Sequence, residues 1–64
     1  MKIKTGLYVF RVTLTNGMMH EIYKLYKYPR TSKGANAYLT RWVNKVCKRE
    51  ELEWTEKEWA WVAE

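Results

Sequence analysis

Two runs rich in β-branched and aromatic residues, separated by Asn16-Gly17, constrain this chain more than any other feature. LYVFRVTLT precedes the dipeptide and MMHEIYKLYKY follows it. Asn-Gly between two such runs is the strongest short-range signal for a two-residue type I′ turn, because both central residues of that turn need a positive φ. The sequence therefore predicts an antiparallel β-hairpin over about residues 7–28.

A two-residue turn also predicts which hairpin residues face one another. Thr15 then lies opposite Met18, and Phe10 lies opposite Tyr23. One face collects a set of apolar side chains interrupted by Glu21 alone: Tyr8, Phe10, Val12, Leu14, Met19, Tyr23 and Leu25. A slip by one residue would instead bring Met18, His20, Ile22, Lys24 and Tyr26 to that face. The apolar pattern favours the first register.

A single amphipathic helix is predicted after the hairpin, over about residues 33–49. Tyr28-Pro29 ends the second strand, because proline cannot donate a ladder hydrogen bond, and Thr31 or Ser32 can cap the helix. Apolar residues recur at spacings of three and four: Ala35, Leu39, Trp42, Val43 and Val46. The expected fold class is α+β, a hairpin packed on one helix (ββα), with Phe10, Val12, Leu39, Trp42 and Val46 buried together.

The C-terminal segment, about residues 54–63, supports two interpretations. Thr55 to Glu58 form a capping box, which predicts a helix, whereas the alternation of Trp59 and Trp61 with Ala60 and Val62 suits a third strand. We favour the helix slightly. The second face of the predicted hairpin carries five apolar residues beside Arg11, Thr13, His20 and Lys24; the five are Leu7, Val9, Met18, Ile22 and Tyr26. Because so apolar a face is poorly suited to solvent, we expect at least one C-terminal tryptophan to be largely buried on the sheet or at its edge. The alternative leaves one or two tryptophans exposed as anchors for a partner.

Length and composition exclude several classes of protein. Sixty-four residues make one small domain, residues 1–64. Cys47 is the only cysteine, so no intrachain disulfide forms and a reducing compartment is expected. Cys47 and His20 cannot supply four zinc ligands, and no nucleotide-binding or catalytic motif is present. We interpret Cys47 as a packing residue and expect no enzyme activity, metal or cofactor.

The chain shows no membrane-targeting signal. MKIKTGLYVF lacks the apolar stretch of about 7–15 residues that a signal peptide needs. No apolar run approaches the roughly 18 residues that span a bilayer. We therefore expect a cytoplasmic protein with no membrane partner.

Charge is divided unequally along the chain. Residues 1–49 carry 11 Lys or Arg against one Glu, a net charge of +10, whereas residues 50–64 carry six Glu against one Lys, a net charge of −5. On the predicted helix, Arg41, Lys45, Lys48 and Arg49 share one flank of the apolar stripe with Tyr38. A basic stripe that includes an aromatic residue is typical of phosphate contact combined with base stacking.

These features support two hypotheses about function. The first is a small non-enzymatic binder that docks on a protein or nucleoprotein machine and blocks or modulates it, because aromatics are in surplus and opposed charges suit docking. In general build the chain resembles small accessory proteins made by phages, including inhibitors of host defence or transcription; this resemblance assigns no residue a role. The second is a nucleic-acid-binding module that uses the basic helix face. Self-association as a homodimer is compatible with both. The candidate contact residues are Arg41, Lys45, Lys48, Arg49, Tyr38, Arg11, Lys24, Tyr26, Trp59 and Trp61.

Overall fold

The computed structural model describes residues 2–64 and has an α+β fold in which one helix packs on an antiparallel sheet. The elements of this region are β1 Lys2–Ile3, β2 Gly6–Leu14, β3 Met19–Tyr26, β4 Arg30–Thr31, α1 Ser32–Glu50 and β5 Trp54–Ala63. The main sheet has the order β3-β2-β5, and β1 pairs with β4 in a separate short ribbon. The predicted hairpin and the predicted helix on it are confirmed. Within residues 2–64, no helix has both the length and the apolar character to cross a membrane.

The turn between β2 and β3 is longer than the predicted type I′ turn. Gly17 N donates to Leu14 O at 2.9 Å, and Leu14 N donates to Met18 O at 2.8 Å, which leaves a three-residue loop. Gly17 has a φ of 88°, whereas Asn16 is not among the described residues with positive φ. This is the geometry of a type I turn followed by a left-handed glycine, in which Gly17 occupies the last turn position rather than a central one.

The extra loop residue shifts the hairpin register by one, so the predicted register is wrong. Phe10 pairs with Ile22 rather than Tyr23, and Tyr8 pairs with Lys24 rather than Leu25. Because side chains alternate between the two faces of a strand, the shift exchanges every β3 side chain. The helix side of the sheet receives His20, Ile22, Lys24 and Tyr26, while the opposite side receives Met19, Glu21, Tyr23 and Leu25.

Helix α1 begins and ends at recognisable caps. The Thr31 hydroxyl accepts a hydrogen bond from Gly34 N at 3.0 Å, and Glu51 adopts the left-handed conformation that ends the helix. Ala35, Leu39, Val43 and Val46 are buried against the sheet. Their partners on β2 are Tyr8, Phe10, Val12 and Leu14, each at most 2% exposed. Trp42, predicted to be buried, is only partly buried at the margin of this core.

The C-terminal segment is strand β5, so the slight preference for a helix is wrong. It pairs antiparallel with β2, placing Trp59 opposite Phe10 and Lys57 opposite Val12. Without it, one edge of β2 would leave its backbone donors and acceptors unpaired beside the core. Eight paired positions of ladder therefore outweigh the local capping box. The strand is irregular at each end, where the register skips Thr55 and Val62.

Strand β5 extends the sheet and leaves its second side uncovered. We call this side the open face; it is formed by Leu7, Val9, Arg11 and Thr13 of β2, Met19, Glu21, Tyr23 and Leu25 of β3, and Glu56, Glu58 and Ala60 of β5. Trp59 is partly buried beside the core, whereas Trp54 and Trp61 are 41% and 37% exposed. The expectation of a largely buried tryptophan is therefore met only in part, by Trp59.

Replacing Phe10 by Ala should lower the free energy of unfolding by about 3–5 kcal/mol, because its ring is fully buried and a cavity would remain. A loss of that size approaches the whole stability of a small domain. Tyr23→Ala is the matched control, since Tyr23 is 58% exposed and its truncation should cost less than about 0.5 kcal/mol. Urea unfolding followed by circular dichroism measures both. Equal losses at the two positions would contradict the assignment of the core face.

Candidate functional site

A groove lies between helix α1 and strand β3. The side-chain hydrogen bonds that α1 makes to the sheet, within the described chain, both go to β5: Trp59 Nε1 donates to Asn36 Oδ1 at 2.6 Å, and Lys57 Nζ donates to Thr40 Oγ1 at 3.4 Å. The helix is thus held over β2 and β5, and β3 is left partly uncovered. We call this hollow the basic–aromatic groove; its residues are Lys24, Tyr26, Arg30, Tyr38, Arg41, Trp42 and Lys45.

Four of these residues are cations without acidic partners. The ion pairs within residues 2–64 involve Arg11 and Arg49, and none involves Lys24, Arg30 or a groove cation of α1. No Asp or Glu lines the two adjoining hollows that form the groove. The groove therefore presents uncompensated positive charge to an incoming anion.

The three aromatic residues of the groove are held by contacts with the core. The Tyr38 ring packs edge-on against Phe10 with centroids 4.9 Å apart, and the Tyr26 ring lies 5.3 Å from that of Tyr8. Cations lie over the same rings: Lys24 Nζ is 4.5 Å from the Tyr38 centroid, and the Arg30 guanidinium is 5.3 Å from that of Tyr26. Aromatic and cationic groups are thus interleaved along the groove.

Burial also changes the acid–base behaviour of one groove residue. Tyr26 is 5% exposed, and burial raises the pKa of its phenol above the ordinary value of 10.0, while the nearby Arg30 guanidinium acts in the opposite direction. The phenol therefore remains a neutral hydrogen-bond donor at physiological pH.

The structure brings together five of the residues named from the sequence. Tyr38, Arg41 and Lys45 come from the helix flank, and Lys24 and Tyr26 come from β3. Helical spacing places Lys48 and Arg49 on the same flank one turn further on, outside the hollow. Arg49 is engaged by Glu50, with Nε 3.4 Å from Oε2.

Arg11 lies on the open face, on the other side of the sheet from the groove. Its Nε is 2.8 Å from Glu21 Oε2 on β3, and its Nη1 is 3.1 Å from Glu58 Oε1 on β5. Hydrogen bonding to Glu21 raises the pKa of Arg11. This side chain links the three strands. Its predicted proximity to Lys24 and Tyr26 is wrong, because the register shift moved those two residues to the helix side.

Trp59 and Trp61 lie on β5, across the helix from the groove. The Trp59 indole donates to Asn36, as described above, and Trp61 Nε1 donates to Thr5 O at 3.2 Å. Lys4 Nζ lies 3.6 Å from the centroid of the Trp61 ring. Both indole N–H groups are therefore occupied within the chain.

Cys47 and His20 are separated in the fold. Cys47 lines a shallow hollow with Asn44, Glu53 and Trp54 beside β5, whereas His20 lies on β3, and β2 runs between those two strands. The geometry thus gives no Cys–His pair for nucleophilic chemistry. Among residues 2–64, no group of three or more His, Cys, Asp or Glu side chains could hold a metal ion.

Sequence reasoning missed Arg30 and Trp42 as groove residues. Trp42 follows Tyr38 by one helical turn, so helical spacing could have placed Trp42 on the same flank. Because its side chain is apolar, Trp42 was predicted to lie in the core instead. Arg30 immediately precedes the helix cap, and only the path of the chain from β3 to α1 brings it beside Tyr26.

No protein-family model matches this chain, and no curated protein or solved structure matches it significantly.

The raised pKa of Tyr26 predicts a loss of stability in alkali. The folded state holds the phenolic proton more tightly than the unfolded state, so this stabilisation is complete below pH about 10 and is lost as the pH rises through the folded pKa. Urea unfolding between pH about 8 and 11.5 should show a steeper alkaline decline for the wild type than for Tyr26→Phe. Identical declines would contradict the assignment to Tyr26.

Proposed function

We propose that this chain is a small non-enzymatic binding protein that docks on a nucleoprotein machine and modulates it, with the basic–aromatic groove holding a single-stranded segment of the nucleic acid. The observation that carries the proposal is the groove itself: four cations without acidic partners, interleaved with three aromatic side chains, between α1 and β3.

The cations suit the phosphate backbone. Lys24 and Arg30 lie on the sheet side of the groove and Arg41 and Lys45 on the helix side, so a strand between them would have positive charge on both flanks. Binding of this kind releases counterions from the nucleic acid and weakens as salt rises. Four phosphate contacts on a single strand correspond to a slope of about −3 in log affinity against log salt concentration.

The aromatics suit the bases. Tyr38 and Trp42 are both partly buried against the core. Part of the Trp42 ring stays accessible to a base, whereas a base that stacks on Tyr38 would take the place of Lys24 Nζ over that ring. A base that stacks on such a ring gains about 1–3 kcal/mol with little sequence preference. The bases of a duplex are paired and stacked on each other, so they are not available to stack on a side chain. A concave protein surface also cannot enter the major groove of a duplex as a protruding helix does. This favours a single strand.

The acidic C-terminal segment does not oppose this placement. Glu56 and Glu58 lie on the open face, and the groove lies on the other side of the sheet. The charge of these two glutamates is thereby kept away from a strand in the groove. A charge difference between the two sides of the sheet would also orient the protein as it docks.

Charge reversal in the groove should abolish binding. Arg41→Glu with Lys45→Glu should weaken retention of a labelled single strand of about 15 nucleotides at least tenfold at low salt, and reduce the salt slope, while the melting temperature is unchanged. Both residues are exposed, so folding should tolerate the change. The matched control is Lys2→Glu with Lys33→Glu, which has the same net charge and should retain most of the affinity. Unchanged binding in the groove variant, or equal loss in both variants, would contradict the proposal.

Protein docking through the open face is a second candidate, favoured by a row of exposed apolar side chains. Met19, Tyr23 and Leu25 are 58%, 58% and 56% exposed on one face of β3, where Glu21 lies between Met19 and Tyr23. If a protein docks on the open face, capture of that partner from cell lysate should survive nuclease treatment. The double variant Tyr23→Ser with Leu25→Ser should lose the capture. The groove variant should capture the same partner as the wild type. Capture that is lost on nuclease treatment would exclude this candidate.

A further inference from the structure

Strand β5 has an open outer edge. It is the last strand of the β3-β2-β5 sheet, and its ten residues leave their outward backbone groups without a partner in the described chain. Proteins usually place charged residues along such an edge, which prevents it from pairing with another chain. On β5 the charges are confined to Glu56, Lys57 and Glu58, and residues 59–63 carry none. The second half of this edge therefore lacks that protection.

We propose that the outer edge of β5 pairs antiparallel with β5 of a second copy of this chain, which joins two three-stranded sheets into one of six strands. Trp61 and Val62, 37% and 44% exposed, lie on the segment that the second copy would cover. Burying exposed apolar surface favours the association, and the new ladder occupies the unpaired backbone groups.

Charge narrows the possible registers of this pairing. Two-fold symmetry within a continuous sheet centres the pair on one residue, which then faces itself. A pair centred on Lys57 or on Glu58 would place like charges directly opposite each other, which is destabilising. A pair centred on Trp59 avoids this, because Glu58 then faces Ala60 of the second copy and Lys57 faces Trp61. The charged half of each strand thus lies along the uncharged half of the other.

The strand is regular where this register needs it. Between Glu56 and Trp61 the pairing with β2 is continuous, and the irregularities at Thr55 and Val62 lie outside the central segment 57–61. A regular segment has the pleat that a further strand requires. The symmetric centre therefore lies on the part of β5 best suited to pairing.

Helix α1 does not oppose the approach of a second copy. Its flank beside β5 presents Asn36 and Thr40, two uncharged side chains that bond Trp59 and Lys57. The helix cations Arg41 and Lys45 line the groove beside β3, the opposite edge of the sheet. These groove cations of each copy would thus lie far from the contact.

Substitutions at Ala60 test this register, because the side chain is exposed, lies in the regular segment and would face Glu58 of the second copy. We expect sedimentation equilibrium to show a wild-type dimer that weakens in the order Ala60→Lys, Ala60→Gln, Ala60→Glu. Residue 60 faces Glu58 of the other copy at two places in the dimer. The Glu variant should therefore dissociate roughly two- to thirtyfold more readily than the size-matched Gln variant.

Hydrogen exchange identifies the edge that is used. Amides within residues 57–61 should become protected as protein concentration rises, and those of β3 should not. Unchanged melting temperatures would show that the Ala60 variants remain folded. A wild type that is monomeric at about 1 mM, equal dimer affinity in the three variants, or protection at β3 in place of β5 would overturn the proposal.

Discussion

The pairing of β5 with β2 determines where every other element of this protein lies. It makes β2 a central strand, with Phe10 and Val12 fully buried, and it supplies the Trp59 and Lys57 side chains that anchor α1. Because these anchors hold the helix over β2 and β5, β3 remains partly uncovered and the groove opens beside it. A helix centred on the hairpin alone would have covered Lys24 and closed the groove. The last strand of the chain therefore creates a site at the opposite edge of the sheet.

The same pairing separates the charges that are divided along the sequence. Strand β5 carries Glu56 and Glu58 to the open face, where Glu58 and Glu21 meet Arg11, and the cations of α1 and β3 collect around the groove. Exposed ion pairs of this kind contribute only about 0–1 kcal/mol each, so they do not hold the fold together. Their effect is on the distribution of charge. Glu21 and Glu58 compensate Arg11 on the open face, and the groove cations remain free to meet an external anion.

Sequence patterns predicted the hairpin and the helix because both depend on local signals of period two and three to four. The register could not be predicted this way, since Asn16-Gly17 is compatible with two turns and one additional loop residue reverses the faces of β3. For β5 the sequence left helix and strand open and slightly favoured the helix, because the capping box is local, whereas the ladder with β2 joins residues forty or more positions apart. In the site, helical spacing identified Arg41 and Lys45. Lys24 and Tyr26 were identified for the wrong face, and Arg30 depends on the path of the chain.

The groove and the proposed dimer contact lie at opposite edges of the sheet, so neither excludes the other. Strands that pair about a two-fold axis keep their faces, and both helices and both grooves would then lie on one side of the six-stranded sheet. Strand spacing places the two copies of β3 about 24 Å apart. A strand that binds one groove raises the effective concentration at the other without any new contact. Affinity for a short segment would then depend on the groove alone, and avidity for a long one would depend on the edge of β5.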